Sequence, residues 1–236
     1  MRILVLSAWL LLVPVALAYH FGPGQSQQKL DATAKKLAEA QRLAAAEDGA
    51  GAVEAFNDAL KLLPDGQSEQ ARQIRLRRAK AQMIAKQLPE AHADLTLLVD
   101  ELANDSAADP KLLAEARSVL ANSQYYMTWL MRLEGLGRDA WEPEIESARQ
   151  IYRHLAEAAQ TSGDASAAKL HREDLESAIR MARMDLSELQ GLALPCQCKG
   201  CCSGKCQGRG KSRPVQLQKT DIRSAGTGNI PDTGGR

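Results

Sequence analysis

Five cysteines near the C-terminus are the residues of this chain best suited to chemistry. They fall within 11 residues at the spacing C-x-C-x2-C-C-x3-C: Cys196, Cys198, Cys201, Cys202 and Cys206. Four thiolates suit tetrahedral Zn²⁺, and a soft, sulfur-only ligand set also suits Cu(I). Two neighbouring lysines, Lys199 and Lys205, would offset the negative charge of bound thiolates. The spacing therefore predicts a metal-binding segment.

Disulfide formation is the alternative use of the same cysteines. Five cysteines cannot all pair within one chain, so oxidation would leave a free thiol beside two disulfides or join two chains as a dimer. The adjacent Cys201 and Cys202 would be strained if bonded to each other. The C-x2-C pair Cys198 and Cys201 resembles a zinc knuckle, and the whole string resembles metallothionein segments. That resemblance implies bound metal, and the disulfide alternative stays open.

The remaining reactive residue types show no spacing that would support catalysis. The four histidines, His20, His92, His154 and His171, have no metal-ligand spacing with one another. The sequence has no phosphate loop of Walker type, no Gly-x-Ser-x-Gly elbow and no His-Glu-x2-His pair. We therefore expect no enzyme activity, nominate no catalytic residue, and predict no cofactor other than Zn²⁺ or Cu(I).

The N-terminus has the order of a secretory signal peptide. Arg2 is followed by an apolar run over residues 3–15 and then by Ala16-Leu17-Ala18, a small-x-small cleavage site. The alternative is an uncleaved anchor, but the run is shorter than the roughly 20 apolar residues that span a bilayer. The sequence predicts cleavage after Ala18, a periplasmic or secreted location, and no membrane span in the mature chain.

Composition favours helices and a neutral surface. Arg2 is the only charged residue among residues 1–18, so its loss lowers the net charge from +1 to zero. A neutral chain gives no reason to expect a nucleic-acid partner. Aromatic residues make up 4% of the chain, and alanine and leucine dominate, which favours helix over sheet.

Apolar spacing predicts an all-α domain over residues 26–191, with seven helices arranged as three antiparallel hairpins and one terminal helix. The predicted helices cover residues 26–47, 52–63, 68–86, 90–103, 110–132, 139–160 and 165–190. Asp109 and Pro110 indicate a capped start, and Asp139 with Glu142 forms a capping-box pattern. Flanking this domain we expect an irregular leader at 19–25, the cysteine-rich segment at 192–210, and a disordered tail at 211–236.

One apolar pattern recurs in the second helix of each predicted hairpin. A small residue is followed by a bulky one four positions later and an apolar one three further on: Ala52, Phe56, Ala59; Ala91, Leu95, Leu98; and Ala148, Tyr152, Leu155. With Pro64 after the first set, and Ala40 and Ala79 in the preceding helices, this pattern resembles the tetratricopeptide repeat family. The resemblance implies stacked hairpins that bind other proteins.

The spacing of these sets departs from the family. The alanines of successive sets are 39 and then 57 residues apart, against a family period of about 34. We therefore expect an irregular α-solenoid. Its last helix carries an apolar seam that would cap the stack: Leu175, Ile179, Ala182, Leu186 and Leu189.

Two groups of residues are candidates for partner binding. The resemblance implies that Arg77 and Lys80 face a concave surface that grips acidic or C-terminal carboxylate groups of a partner. The alternative is a solvated basic face balanced by Glu69, Glu90 and other local acids. The aromatic residues Tyr125, Tyr126 and Trp129 crowd one side of a helix and would line a peptide groove, or else form a local core.

The sequence thus predicts an exported helical scaffold that mediates protein–protein interaction with a protein or peptide partner. Two alternatives accompany this interpretation. One is a metal-handling protein that uses the cysteine cluster for Zn²⁺ or Cu(I), and the other is a disulfide-linked oligomer.

Overall fold

A computed structural model describes residues 23–191 and the isolated positions 9, 12 and 14. Residues 23–191 form eight helices and no strand, which confirms the all-α class. The helices are α1 Pro23–Ala45, α2 Gly49–Leu62, α3 Ser68–Ile84, α4 Leu88–Asn104, α5 Pro110–Leu133, α6 Arg138–Thr161, α7 Ala165–Arg183 and α8 Leu186–Gln190. The predicted cleavage site, the cysteine-rich segment and the tail lie outside the described residues.

The helices pack in chain order. Each of α1 to α6 packs against the helix that follows it, α3 also contacts α5, and α8 contacts α5. The helices run up and down in alternation because short turns join them. The first helix begins three residues earlier than predicted, at Pro23, because proline is favoured in the first helical turn.

Four of the turns between helices share one backbone geometry. The left-handed residue is Glu47, Lys86, Gly135 or Gly163, with φ of 63°, 62°, 76° and 79°. The next backbone N–H donates to the carbonyl five residues earlier, from Asp48 to Leu43, Gln87 to Gln82, Leu136 to Met131 and Asp164 to Ala159. This is the Schellman motif, which satisfies the last carbonyls of a helix. Glu47 and Lys86 are 39 residues apart, which is also the spacing from Ala52 to Ala91.

The recurring apolar pattern is buried in all three helices where it was predicted. None of its nine residues is more than 8% exposed, and Ala40 and Ala79 are also buried. Alanine at the contact allows neighbouring helices to approach closely, while the bulky residue fills the space between hairpins. The 39-residue repeat of the sequence therefore corresponds to a repeat of turn and core in the first two hairpins.

The middle of α5 is surrounded on all sides. Every residue from 119 to 126 is buried, including the polar Asn122, Ser123 and Gln124. A helix that is buried all round lies inside a domain and not at its surface. α5 is therefore the central helix of the larger core.

The starts of two helices test the capping predictions. Asp109 caps α5 by accepting from the N–H of Lys111, with Pro110 at the first helical position, as predicted. The capping box at Asp139 is wrong: α6 begins at Arg138 after Gly137, and that N-cap makes no side-chain hydrogen bond. Glu142 pairs with Arg138 at 2.6 Å, so its carboxylate serves an ion pair one turn back.

The single terminal helix predicted at 165–190 is also wrong, because the chain breaks between α7 and α8. Met184 is extended, and Asp185 caps α8 by accepting from the N–H of Glu188. Because of this break, the five residues of the predicted apolar seam do not share one buried face. Leu189 is fully buried but Leu186 is exposed, and Leu175, Ile179 and Ala182 are only partly buried.

Candidate partner-binding surface

The basic helix α3 is tied to the acids of α4 and of the turn after it. The Arg72 guanidinium lies 2.7 Å from both Glu101 and Asp105, and Arg75 lies 2.5 Å from the other Glu101 oxygen. Hydrogen bonds from Arg72 and then Arg75 lower the pKa of the Glu101 carboxyl. The pKa of Asp105 is lowered first by the N–H of Ala107 and then by Arg72. Carboxylates of α4 and of the turn after it therefore neutralise most of the positive charge of these arginines within the fold.

A second polar link joins three helices. Arg78 on α3 donates to Asn57 on α2 at 3.0 Å and to Asp94 on α4 at 2.9 Å. Gln82 donates to the same Asp94 oxygen at 2.9 Å. Because these hydrogen bonds are partly buried and join α2, α3 and α4, they orient the first two hairpins relative to each other.

The two basic residues predicted to bind a partner differ in their surroundings. Lys80 donates to Glu115 of α5 at 2.5 Å, with both side chains about half exposed. Arg77 is exposed, and none of the ion pairs found among residues 23–191 includes it. The acids that pair with the helix come from α4, from the turn after it and from α5, and not from the Glu69 and Glu90 named by the sequence argument. Among the basic residues of α3 in the described structure, Arg77 is thus the one that lies outside these ion pairs.

The three aromatic residues lie together, but inside the protein. Tyr125, Tyr126 and Trp129 are each 5% exposed or less and belong to the larger core. The two tyrosine rings meet edge to face at 5.8 Å, and Tyr125 lies 6.4 Å from Trp129. Edge-to-face pairs of this kind stabilise cores. Their burial favours the local-core interpretation over the peptide groove.

Arg132 is a buried residue that the sequence argument missed. Its guanidinium donates to the backbone carbonyls of Met181 and Met184 and lies 4.7 Å from the centre of the Trp141 ring. These carbonyls belong to the end of α7, where no intrahelical donor remains. Burial lowers the pKa of Arg132, while nearby Asp185 opposes that shift. The only sequence signal is an arginine set among Met131, Leu133 and other apolar residues.

The histidines do not form a metal site in the described part of the chain. His92 on α4 lies 3.1 Å from Glu144 on α6, and burial lowers the pKa of His171 with Asp164 opposing. Residues 23–191 contain no group of three histidine, cysteine, aspartate or glutamate side chains that could hold a metal ion. The cysteines predicted to bind metal, Cys196, Cys198, Cys201, Cys202 and Cys206, lie outside the described residues.

Several leucines are exposed at the end of α5. Leu130, Leu133 and Leu136 are 36%, 37% and 45% exposed, and we call them the α5-end leucines. Leu186 on the adjoining α8 is 43% exposed. A concentration of exposed leucine over seven residues differs from a single exposed side chain, which needs no explanation.

The described part of the chain is therefore an all-α protein of stacked, antiparallel helical hairpins. Among its helices, none is both long enough and apolar enough to cross a bilayer. Searches against protein-family models, curated proteins and solved structures found no match to this chain.

Proposed function

We propose that this protein is an exported, tetratricopeptide-like scaffold that binds a protein or peptide partner. The observation that carries the proposal is the 39-residue repeat, in which two hairpins share a turn motif and the same buried positions. Repeats that stack in this way present side chains from successive units on a common surface, which suits extended protein partners. Export follows from the signal-peptide pattern of residues 1–18.

The basic face of α3 is the best-supported contact surface. Arg77 is exposed and outside the ion pairs of α3, and Lys80 is held near it by Glu115. An arginine can form paired hydrogen bonds with a carboxylate, so an acidic segment or a C-terminal carboxylate fits this position. The buried aromatic cluster leaves this polar surface as the stronger of the two predicted contacts.

A charge-reversal pull-down from the exported fraction of the native host tests this proposal. The bait is the full chain, compared with a variant that carries Arg77→Glu and Lys80→Glu. We expect the variant to lose the captured partner by at least about tenfold, because rim charges steer and fix a charged ligand. The matched control is Arg153→Glu, an exposed arginine on α6. Equal capture by the double variant and the wild type would remove this surface from the proposal.

Metal handling is a second candidate, favoured by the cysteine spacing at 196–206. In this proposal the helical body docks a partner while Cys196, Cys198, Cys201, Cys202 and Cys206 carry Zn²⁺ or Cu(I). Thiolate coordination releases protons and holds the metal more tightly as pH rises. The chemistry is distinct from scaffold binding, so the two candidates can be separated.

Native mass spectrometry of the full chain separates the metal proposal from disulfide use. We expect one Zn²⁺ or Cu(I) adduct that a chelator removes, and loss of that adduct when Cys198 and Cys201 are changed to serine. A mass lower by two hydrogens for each cysteine pair, without metal, would instead support disulfides. A covalent dimer that dissociates on reduction would identify the disulfide-linked oligomer.

A further inference from the structure

Arg132 is a buried cation that no carboxylate contacts within the described residues. Its side chain is 9% exposed, and its guanidinium hydrogen bonds go to neutral backbone carbonyls, those of Met181 and Met184. Asp185 acts on Arg132 only through space, because its carboxylate accepts from the N–H of Glu188 instead. Buried charges are normally paired with an opposite charge, so an arginine in this position suits a bound carboxylate.

A second unsatisfied group lies one turn away on the same helix. Trp129 is three residues before Arg132 and therefore on the same side of α5. It is 4% exposed, and its indole N–H has no hydrogen-bond acceptor among residues 23–191. The end of α5 thus carries two kinds of buried donor, a guanidinium and an indole N–H, that an anionic acceptor would satisfy.

The short helix α8 covers this end of α5 with a single side chain. It begins beside Arg132, which donates to the carbonyl of Met184, and it contacts α5. Leu189 is fully buried in the same core as Trp129, whereas the other four residues of α8 are exposed. Because a helix of five residues is not stable by itself, α8 can detach at a lower free energy than the long helices.

We propose that the end of α5 is a binding site for the C-terminal carboxylate of a peptide whose last residue is aliphatic, and that α8 closes this site. In the closed state Leu189 fills the apolar part of the site, and the carbonyl of Met184 accepts from Arg132. A carboxylate forms paired, charge-assisted hydrogen bonds with a guanidinium, which are stronger than bonds from a neutral carbonyl. The aliphatic side chain of the peptide takes the place of Leu189, so peptide binding and the opening of α8 are coupled. The site adds a second peptide contact to the proposed scaffold and is separate from the basic face of α3.

Calorimetric titration of the full chain with acetyl-Leu-Leu, which has a free C-terminal carboxylate, tests this site. Leu189→Ser should bind the dipeptide about fivefold more tightly than the wild type, because α8 competes less well for the site. The C-terminal amide of the same dipeptide should bind this variant at least about tenfold more weakly, since it lacks the charge. Arg132→Lys should weaken binding of the acid by about tenfold, because an ammonium cannot form the paired hydrogen bonds. Asp185→Ala removes the cap of α8 and leaves the core intact, so it should also raise the affinity, even if Leu189→Ser fails to fold.

The matched control is Leu186→Ser, because Leu186 is an exposed leucine of the same helix and its loss should leave the affinity unchanged. Arg77→Glu with Lys80→Glu should also leave it unchanged, which separates this site from the α3 surface. Equal binding of the acid and the amide would overturn the proposal, as would wild-type affinity in both Leu189→Ser and Asp185→Ala. Loss of dipeptide binding in the α3 double variant would overturn it too, because the carboxylate would then bind on α3.

Discussion

Arg132 ends one helix by contacts made from another. Its guanidinium satisfies the carbonyls of Met181 and Met184, so replacing it by methionine would leave buried acceptors without a donor. We expect Arg132→Met to lower the free energy of unfolding by about 2–4 kcal/mol. Arg132→Lys should recover only part of this loss, because an ammonium cannot fork between two carbonyls as a guanidinium does.

Urea unfolding followed by far-ultraviolet circular dichroism measures this effect. Arg153→Met is the matched control, since Arg153 is exposed on α6 and its loss should change stability by less than about 0.5 kcal/mol. A result in which Arg132→Met is as stable as wild type would mean that the carbonyls of Met181 and Met184 find other donors.

His171 gives the fold a dependence on mildly acidic pH. Burial lowers its pKa below the ordinary 6.5, with Asp164 opposing, so the unfolded chain binds this proton more tightly than the folded protein does. Stability should be fully present above pH 6.5 and fall as the pH drops through 6.5 towards the lowered pKa. His171→Gln should flatten the stability profile in this window, measured as the urea midpoint between about pH 7.5 and pH 5.5.

Carboxylates act in a separate and lower pH window. The pKa values of Glu101, Asp105, Asp164 and Asp185 are lowered from ordinary values of 4.5 for glutamate and 3.8 for aspartate, so their contribution is lost only below that range. His154→Gln is the control for the histidine experiment, because that side chain is 76% exposed. If the pH dependence of stability in His171→Gln equals that of the wild type, a group other than His171 must cause it.

At the scale of helices and turns, the four Schellman turns carry a testable asymmetry. Glu47 and Lys86 hold the left-handed conformation at the position that glycine, Gly135 or Gly163, occupies in the other two turns. A side chain there is strained, so Glu47→Gly and Lys86→Gly should each stabilise the protein by about 0.5–1 kcal/mol. Gly163→Ala should destabilise it by about 1 kcal/mol.

The control for these turns is Ala85→Gly, one residue before Lys86. Ala85 has an ordinary φ of −71°, so glycine there gains no strain relief and should cost about 0.5–1 kcal/mol. Thermal unfolding midpoints of the four variants provide the comparison. Destabilisation by both Lys86→Gly and Ala85→Gly would show that strain at the left-handed residue is outweighed by chain entropy.

The helices were predictable wherever the signal was local. Apolar spacing predicted where the seven long helices lie, although it ran the last one past its end at Arg183, and the pair Asp109 and Pro110 predicted the start of α5. The break after Arg183 was not predictable, since Arg132 lies 49 and 52 residues before the carbonyls that it contacts. Asp139 had the pattern of a cap, but Gly137 occupied the N-cap position.

The candidate site was predictable by residue type and not by pairing. The basic character of α3 is visible in the sequence, whereas the acids that neutralise Arg72, Arg78 and Lys80 come from 16 to 35 residues away. The close spacing of the aromatic residues in the sequence fits either a peptide groove or a local core. Only the packing of α4, α6 and α8 around α5 distinguishes these outcomes.

At the scale of the whole described body, the core divides into two clusters. The smaller cluster comes from α1 to α3 and is rich in alanine, while the larger extends from α3 to α8. α3 contributes Ile74 and Ala81 to the first and Leu76 and Met83 to the second. Because stacked units contact only their neighbours, the α1–α2 hairpin should open at a lower free energy than α5 and α6.

Two equivalent residues, 39 positions apart, test this gradient. Phe56 lies in the smaller cluster and Leu95 in the larger, and both are buried. Replacing either residue by alanine should lower the free energy of unfolding of its own cluster by about 2–5 kcal/mol. We expect Phe56→Ala to speed amide exchange in α1 and α2 while α5 keeps its wild-type protection, because the larger core remains intact.

Leu95→Ala should behave differently, since Leu95 packs in the cluster that contains the central helix. In the Leu95→Ala variant, amide exchange should speed up in α4 and α5 together, and the urea midpoint of the whole protein should fall. Exchange measured at several urea concentrations separates local opening from global unfolding. If Phe56→Ala deprotected α5 as strongly as α1, the two clusters would unfold as one cooperative unit, and α3 would transmit the loss from one core to the other.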